Sequence, residues 1–300
     1  PFNLKVCEDY FKNENIEMSR YDIVQSYMVF GGIPYYLSYF KKGMSFEGNA
    51  DNILFGKNPR LKDEFNRLFN AIFSNPEDCK KIIRLLAKKH VGFTREEIAK
   101  ETGLPFGGGL TDTLNALVES DFIQRYRPYN VSGKVSFYKL IDNFSLFWLK
   151  YVEPNTEDIN FMTDNMTSNI MRVWRGVAFE EVCWQHIGQI KRALGISGVS
   201  SSISAWSVKG NDNKEGVQID LLIIRNDNVV NLCEMKFAGD IYSIDKEEDA
   251  KIRNRIQTLI NTLSPKQSVH LTMITTYGVS HTMYGGRVQQ QVILDDLFQS

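Results

Sequence analysis

The sequence predicts a multidomain α+β fold, and three observations carry that expectation. Residues 1 to about 75 have apolar side chains at three-to-four spacing; residues 76–152 hold three short amphipathic segments followed by two β-rich ones; residues 165–300 read helix, three strands, helix, strand. A chain of 300 residues is long enough for two or three such domains.

The first part is helical. "PFNLKVCEDYFKN" and "SRYDIVQSYMVF" each bury one face of a helix, and Ser19 stands where an N-cap is wanted. "GGIPYYLSYF" follows, with Gly31, Gly32 and Pro34 forming a turn and Tyr35, Tyr36, Leu37 and Phe40 packing after it. These residues suit a helix break under a tight crossover, and nothing catalytic is visible among them.

In the second part "EDCKKIIRLLAKKH", "TREEIAKETGL" and "LTDTLNALVESDFI" predict three helices, the second capped by Thr94 and turning at Gly103. "IQRYRPY" and "KVSFYKLID" predict two strands with Ser132 and Gly133 between them, and "FSLFWLKYVEP" an apolar closing helix. Three helices and a hairpin in that order describe a winged helix-turn-helix. Its third helix lacks Lys and Arg from Leu110 to Asp121 and carries Asp112, Glu119 and Asp121, which opposes insertion into a DNA groove. The hairpin is the better nucleic-acid candidate, because Arg125, Arg127, Lys134 and Lys139 alternate with tyrosines, although packing or protein contact is weighted above DNA reading. "GLPFGGGLT" has the glycines of a phosphate loop without the lysine that should follow them, and reads as a helix connection.

"NTEDINF" is the expected linker. Beyond it, "NIMRVWRGVAFEEVCWQHIGQIKRAL" predicts one long helix, then come a strand near "SISAWSVKG" and the hairpin "VQIDLLIIRNDNVVNLCEMKF". A helix, "SIDKEEDAKIRNRIQTLIN", the strand "SVHLTMITTYG" and a last element near "VQQQVILDDLF" complete an α/β sandwich around a small mixed sheet. The hairpin carries Asp220, Glu234 and Lys236 inside apolar strands, where an unpaired charge costs several kcal/mol. Glu234 and Lys236 share one strand face. A three-residue loop, Asn226 to Asn228, places Asp220 opposite Glu234, whereas a loop of two or four residues spoils that register. Facing carboxylates need a proton or a cation between them, and hard oxygen ligands suit Mg²⁺. The alternative is a buried ion cluster that only orders the sheet.

Asp220 followed by Glu234-x-Lys236, with a helical Glu in "GVAFEE", resembles the PD-(D/E)XK nuclease superfamily over roughly residues 165–300. Together with "YMVFGGIPYYL" and "YKLIDNFSLFWLKY", the pattern is similar to the C-terminal two-thirds of an archaeal and bacterial family of AAA+ type ATPases with a nuclease-like tail. The resemblance implies a helical ATPase lid at 1–75, a winged helix at 76–152 and a nuclease-like domain at 165–300. It makes Asp220 and Glu234 metal ligands for Mg²⁺ or Mn²⁺, Glu180 an outer ligand and Lys236 the cation that orients or activates the attacking water. A stripe of Val173, Val177, Trp184 and Ile187 favours Glu180 over Glu181 for the inward position. In the following helix Arg253 and Arg255, with Lys251 and Gln257, are further phosphate candidates. There is no GxxxxGK[ST], so ATP would enter only through a motor that this chain lacks.

Composition narrows the classes. Net charge is −1, so no global field holds the chain on nucleic acid or an anionic membrane. Cys7, Cys79, Cys183 and Cys233 are scattered and form no CxxC pair, which speaks against a disulfide framework or structural zinc and for a reduced, cytoplasmic setting. His90, His186, His270 and His281 show no ligand spacing and read as packing or surface residues. No apolar run reaches the ~20 residues of a membrane span. The chain opens at Pro1 without methionine, which reads as a fragment of something longer. The leading expectation is a metal-dependent DNA phosphodiesterase domain behind a winged helix, partnered by an absent ATPase motor or other subunits. Its rivals are a non-catalytic nucleic-acid or protein interaction module that regulates an ATPase, and an oligomerisation platform.

Overall fold

Ser19 does cap a helix: its hydroxyl accepts from the Asp22 amide at 3.1 Å, and the helix runs Arg20–Phe30. In the computed structural model, which describes residues 1–129, 135–155, 157–208 and 216–299, this is α2 of a helical series. The series is α1 (Leu4–Asn13), α2, α3 (Pro34–Leu37), α4 (Phe46–Leu54) and α5 (Glu64–Ile72). The break after α2 is enforced by sterics. Gly31 and Gly32 both have φ of 66°, and a Cβ on Gly32 would lie 2.4 Å from the Phe2 carbonyl oxygen and 2.6 Å from the Tyr27 ring. Pro34 then opens α3 at the position where its missing N–H costs nothing.

The chain divides into two compact units, Pro1–Tyr126 with Ser136–Glu181, and Arg127–Val135 with Val182–Ser300. The first unit continues with α6 (Pro76–Leu86), β1 (Phe93–Thr94), α7 (Arg95–Thr102), α8 (Gly108–Glu119), β2 (Ile123–Tyr126) and β3 (Phe137–Leu140). Thr94 and Glu97 form a capping box at the start of α7, and Gly103 ends it at φ 72°. Gly108 and Gly109, read above as a connection, lie in the first turn of α8. The strands form an antiparallel sheet in the order β1-β3-β2. Next come α9 (Asn143–Phe147), a π-helical turn (Trp148–Val152), α10 (Phe161–Asn165) and the start of α11 (Asn169–Gln185). Aromatic side chains fill this unit's core, with Phe65 stacked on Trp148 at 4.7 Å and Tyr36 against Phe144 at 4.6 Å.

The second unit contains the end of α11, α12 (Ile187–Ala193), β4 (Ser201–Val208), β5 (Val217–Arg225), β6 (Val229–Lys236), α13 (Lys246–Ile260), β7 (Ser268–Thr275) and β8 (Gln290–Ile293). The single long helix expected from 169 onward is broken at His186, whose Nδ1–H donates to the Val182 carbonyl at 2.8 Å. The five strands lie in the order β4-β5-β6-β7-β8, antiparallel from β4 to β6 and parallel from β6 to β8. A parallel neighbour requires a crossover, and α13 supplies it. Ile252 and Leu259 of α13 pack with Leu222, Leu232, Leu271 and Met273 of the sheet. The fold is thus mixed α+β, built from helices, a small mixed five-stranded sheet and a three-stranded one. Among the described residues no helix is long and apolar enough to cross a membrane, and the four cysteines are free and buried.

Candidate functional site

The β5–β6 hairpin turns through three residues, with Asn228 in the left-handed region at φ 65°. Pairing then runs from Ile224↔Val230 to Leu221↔Cys233. Asp220 and Glu234 are next along that register, and the ladder stops at them. On the other side Ser204 pairs with Leu222 and Trp206 with Ile219, so Asp220 and Leu221 together oppose Ala205. Asp220 therefore sits in a β-bulge. The bulge reverses the strand's alternation, which is why odd-numbered Val217 and Ile219 share one core with even-numbered Leu222. Trp184 Nε1 donates to the Asp220 carbonyl at 2.9 Å, and Gln218 Nε2 to its Oδ1 at 2.6 Å.

The charges that Glu234 and Lys236 place in the apolar strand are compensated from α13. Glu234 is 8 % exposed, and Arg255 Nη1 lies 3.2 Å from each of its carboxylate oxygens. Lys236 Nζ lies 2.8 Å from Glu248 Oε1 and 5.9 Å from the centre of the Tyr242 ring. Glu248 and Arg255 are about two turns apart, on one side of α13. Asp245 caps that helix by accepting from the Glu248 amide at 2.8 Å, which holds the first turn that carries Glu248. Burial pushes the Glu234 carboxyl up to about 7; Arg255 and Lys236 pull it down, while Glu248 and Asp220 add to the rise. Burial works against the Lys236 ammonium, but Glu248 and Glu234 outweigh it and hold its pKa above the usual lysine value. Asp220, Glu234 and Glu248 stand against Lys236 and Arg255, three acids to two bases.

The remaining expected residues divide. Glu180 belongs to the first unit, where its Oε2 lies 2.6 Å from His90 Nε2. Asp220, Glu234 and Lys236 belong to the second. The expected stripe is also corrected: Val173 is 58 % exposed, while Trp174, Ala178 and Glu181 are buried. Glu181, not Glu180, is the inward acid of α11, and its Oε1 lies 2.8 Å from Lys139 Nζ. Lys139, at 3 % exposure, is thereby removed from the residues able to reach a phosphate. Burial alone would lower the His90 pKa; the hydrogen bond to Glu180 and the Glu181 charge outweigh it and raise it.

Sequence reading missed this His90, Lys139 and Glu181 cluster because its members are far apart in the chain. The spacing of Glu181 from Trp174 and Ala178 was the signal that could have found it. Arg125, in the first unit, and Arg127, in the second, are exposed; the Arg127 carbonyl accepts from Ser204 Oγ at 2.8 Å and the Tyr129 amide donates to Ala205 O at 3.1 Å, so Arg127 and Tyr129 are tied to β4. Lys134 lies outside the described residues. Arg253 Nε lies 3.0 Å from buried Asp249, which Arg287 Nε also reaches at 2.7 Å.

No family model matches the chain. It is 27 % identical over 233 residues to MJECL04, an uncharacterized protein of Methanocaldococcus jannaschii, in a match that takes in 76 % of this chain and 49 % of that protein. The chain thus spans about half the length of the relative it matches.

Proposed function

We propose that the second unit is a divalent-cation-dependent phosphodiesterase domain of the PD-(D/E)XK type, acting on DNA. The observation that carries this reading is the grouping of acids at the hairpin: Asp220, in a bulge against β4, and Glu234 are the next positions on the β5–β6 register, and with Glu248 they outnumber Lys236 and Arg255 three to two. Oxygen donors from three acids beside two bases fit a hard divalent cation, and because burial raises the Glu234 carboxyl to about 7, a cation held there would displace its proton. Asp220 and Glu234 would hold it, and it would supply Lewis acidity toward a phosphoryl oxygen. Lys236 stands on the same strand face as Glu234, where an ammonium can orient a water or stabilise developing charge. The order helix, three strands, helix, strand supports the family reading, and the order α6, β1, α7, α8, β2, β3 supports a winged helix in the first unit. Within the same proposal, the chain is the C-terminal portion of an AAA+ type ATPase whose motor lies elsewhere.

Calorimetric titration of Mg²⁺ or Mn²⁺ into the wild-type chain and into Asp220→Asn, paired with a nicking assay on supercoiled DNA, tests this. Metal binding and nicking lost together in the variant support the phosphodiesterase. No metal binding in the wild type rejects it. A second reading, a non-catalytic interaction module, is favoured by the pairs Glu234–Arg255 and Lys236–Glu248, which already compensate both strand charges. Saturable DNA binding without cleavage, unaffected by metal, would select that module.

A further inference from the structure

A cleft of about 800 Å³ opens in the first unit between the segment after α3, the α4 helix with the turn that follows it, and the start of α10. Three cations line it, Lys41, Lys57 and Arg60, and none has an ion-pair partner among the described residues. The acid on its wall, Asp51, is spent on the chain: its oxygens accept from the Met162 amide at 2.7 Å, the Thr163 amide at 3.0 Å and Thr163 Oγ1 at 2.6 Å. Cations thus outnumber acids three to one on the lining itself, with Asp158 and Glu64 near enough for their charges to act on Asp51 and Tyr39. The loops that carry it are fixed. Asn49, 1 % exposed, accepts from the Lys41 amide at 2.7 Å and donates to the Lys41 carbonyl at 3.3 Å. The Gly56 amide donates to Asp51 O at 2.6 Å and the Leu61 amide to Ile53 O at 3.0 Å, which pins the turn bearing Lys57 and Arg60 at both ends. Tyr39, partly exposed, lines the same wall and is braced by Tyr35, edge-on at 5.2 Å.

We infer that this cleft binds a nucleotide unit, with its phosphate oxygens against Lys41, Lys57 and Arg60 and its base on Tyr39. Cations carried on pinned loops suit phosphate, an aromatic ring suits the π-face that every base has, and the volume lies within the ~300–1,000 Å³ of ligand sites. The unit could come from a free nucleoside polyphosphate or from a single strand, and the inference is independent of the hairpin site.

The test is binding of ATP, pyrophosphate and a fluorescent oligothymidylate to the whole chain. EDTA is present throughout, so that any metal bound at Asp220 and Glu234 contributes nothing. Lys57→Ala/Arg60→Ala should weaken nucleotide binding by tenfold or more. Tyr39→Ala should weaken it on the order of fivefold, in the range that loss of one stacked base produces. Thermal melting checks that both variants fold, which their exposed or partly exposed positions favour. ATP binding alone identifies a free nucleotide. Oligonucleotide binding, with a log–log salt slope of about −2 from three phosphate contacts at about −0.7 each, identifies a strand. No saturable binding of either, or equal affinity in the variants, overturns the inference. Pyrophosphate binding as tight as ATP, with Tyr39→Ala silent, also overturns it and leaves a bare anion patch.

Discussion

Glu234→Gln should change how stability depends on pH, and the size follows from the site. Burial holds the Glu234 carboxyl at about 7 against an ordinary 4.5. At ~1.36 kcal/mol for each pH unit, that difference is worth about 3 kcal/mol. The folded pKa is raised, so the contribution is fully present below about pH 4.5 and is lost as pH rises through 7. His186 works in the opposite sense. Burial lowers its pKa from 6.5 to about 4, so its contribution, also about 3 kcal/mol, is present above 6.5 and lost as pH falls through 4. In the wild type the two slopes nearly cancel between pH 4.5 and 6.5. The Gln variant, isosteric with the protonated acid, removes one of them. Urea denaturation followed by tryptophan fluorescence, in EDTA from pH 4 to 8, should find wild type and variant similar at pH 4. By pH 8 the variant should be the more stable by about 3 kcal/mol. A difference that stays constant across that range would refute the reasoning, because it would mean that Glu234 titrates normally.

Lys139→Met should destabilise the first unit by about 3 kcal/mol, because buried Glu181 is left with His90 alone beside it; adding Glu181→Gln should restore much of the loss in the same denaturation assay. His90→Asn should remove a contribution that is present at low pH and disappears as pH rises through the elevated histidine pKa, seen as a shallower pH profile of the melting temperature. Asp51→Ala removes three hydrogen bonds that hold the start of α10 and should cost about 2 kcal/mol, read by urea denaturation.

The hairpin was legible because its information is local. The spacing from Asp220 to Glu234 fixes the register once three residues turn, and Asn228 can hold the left-handed position that such a turn needs. The Ser19 and Thr94 caps and the glycine break after α2 were legible for the same reason. The bulge at Asp220 was not, since it is defined by β4, whose pairing partner no local pattern reveals. The facing of α11 failed because Val173 and Val177 looked like the apolar stripe, whereas the buried side runs through Trp174, Ala178 and Glu181. Helical periodicity places residues on a common side without saying which side meets the core when both hold apolar groups. The partners of Glu234 and Lys236 lie on another element, so sequence could demand compensation there but not name Arg255 and Glu248.

The hairpin site is also locally expensive, and that bears on what it is for. A strand that only had to pack would keep its register, yet β5 breaks its own pairing with β4 at Asp220, and an indole must take up the carbonyl. A sheet that only had to be stable would hold apolar groups where Glu234 and Lys236 stand, because buried ion pairs recover little beyond the desolvation they incur. Here the pairs are also unequal in number, and the third acid, Asp220, sits at the bulge where the side chain can be re-aimed. Each departure lowers stability, and all of them converge on one end of one sheet. Local rules broken together in this way are what a site produces when geometry for a ligand has been kept at the expense of packing. If so, a bound cation should raise the second unit's stability with its concentration, and Asp220→Asn should abolish that rise without lowering the metal-free stability.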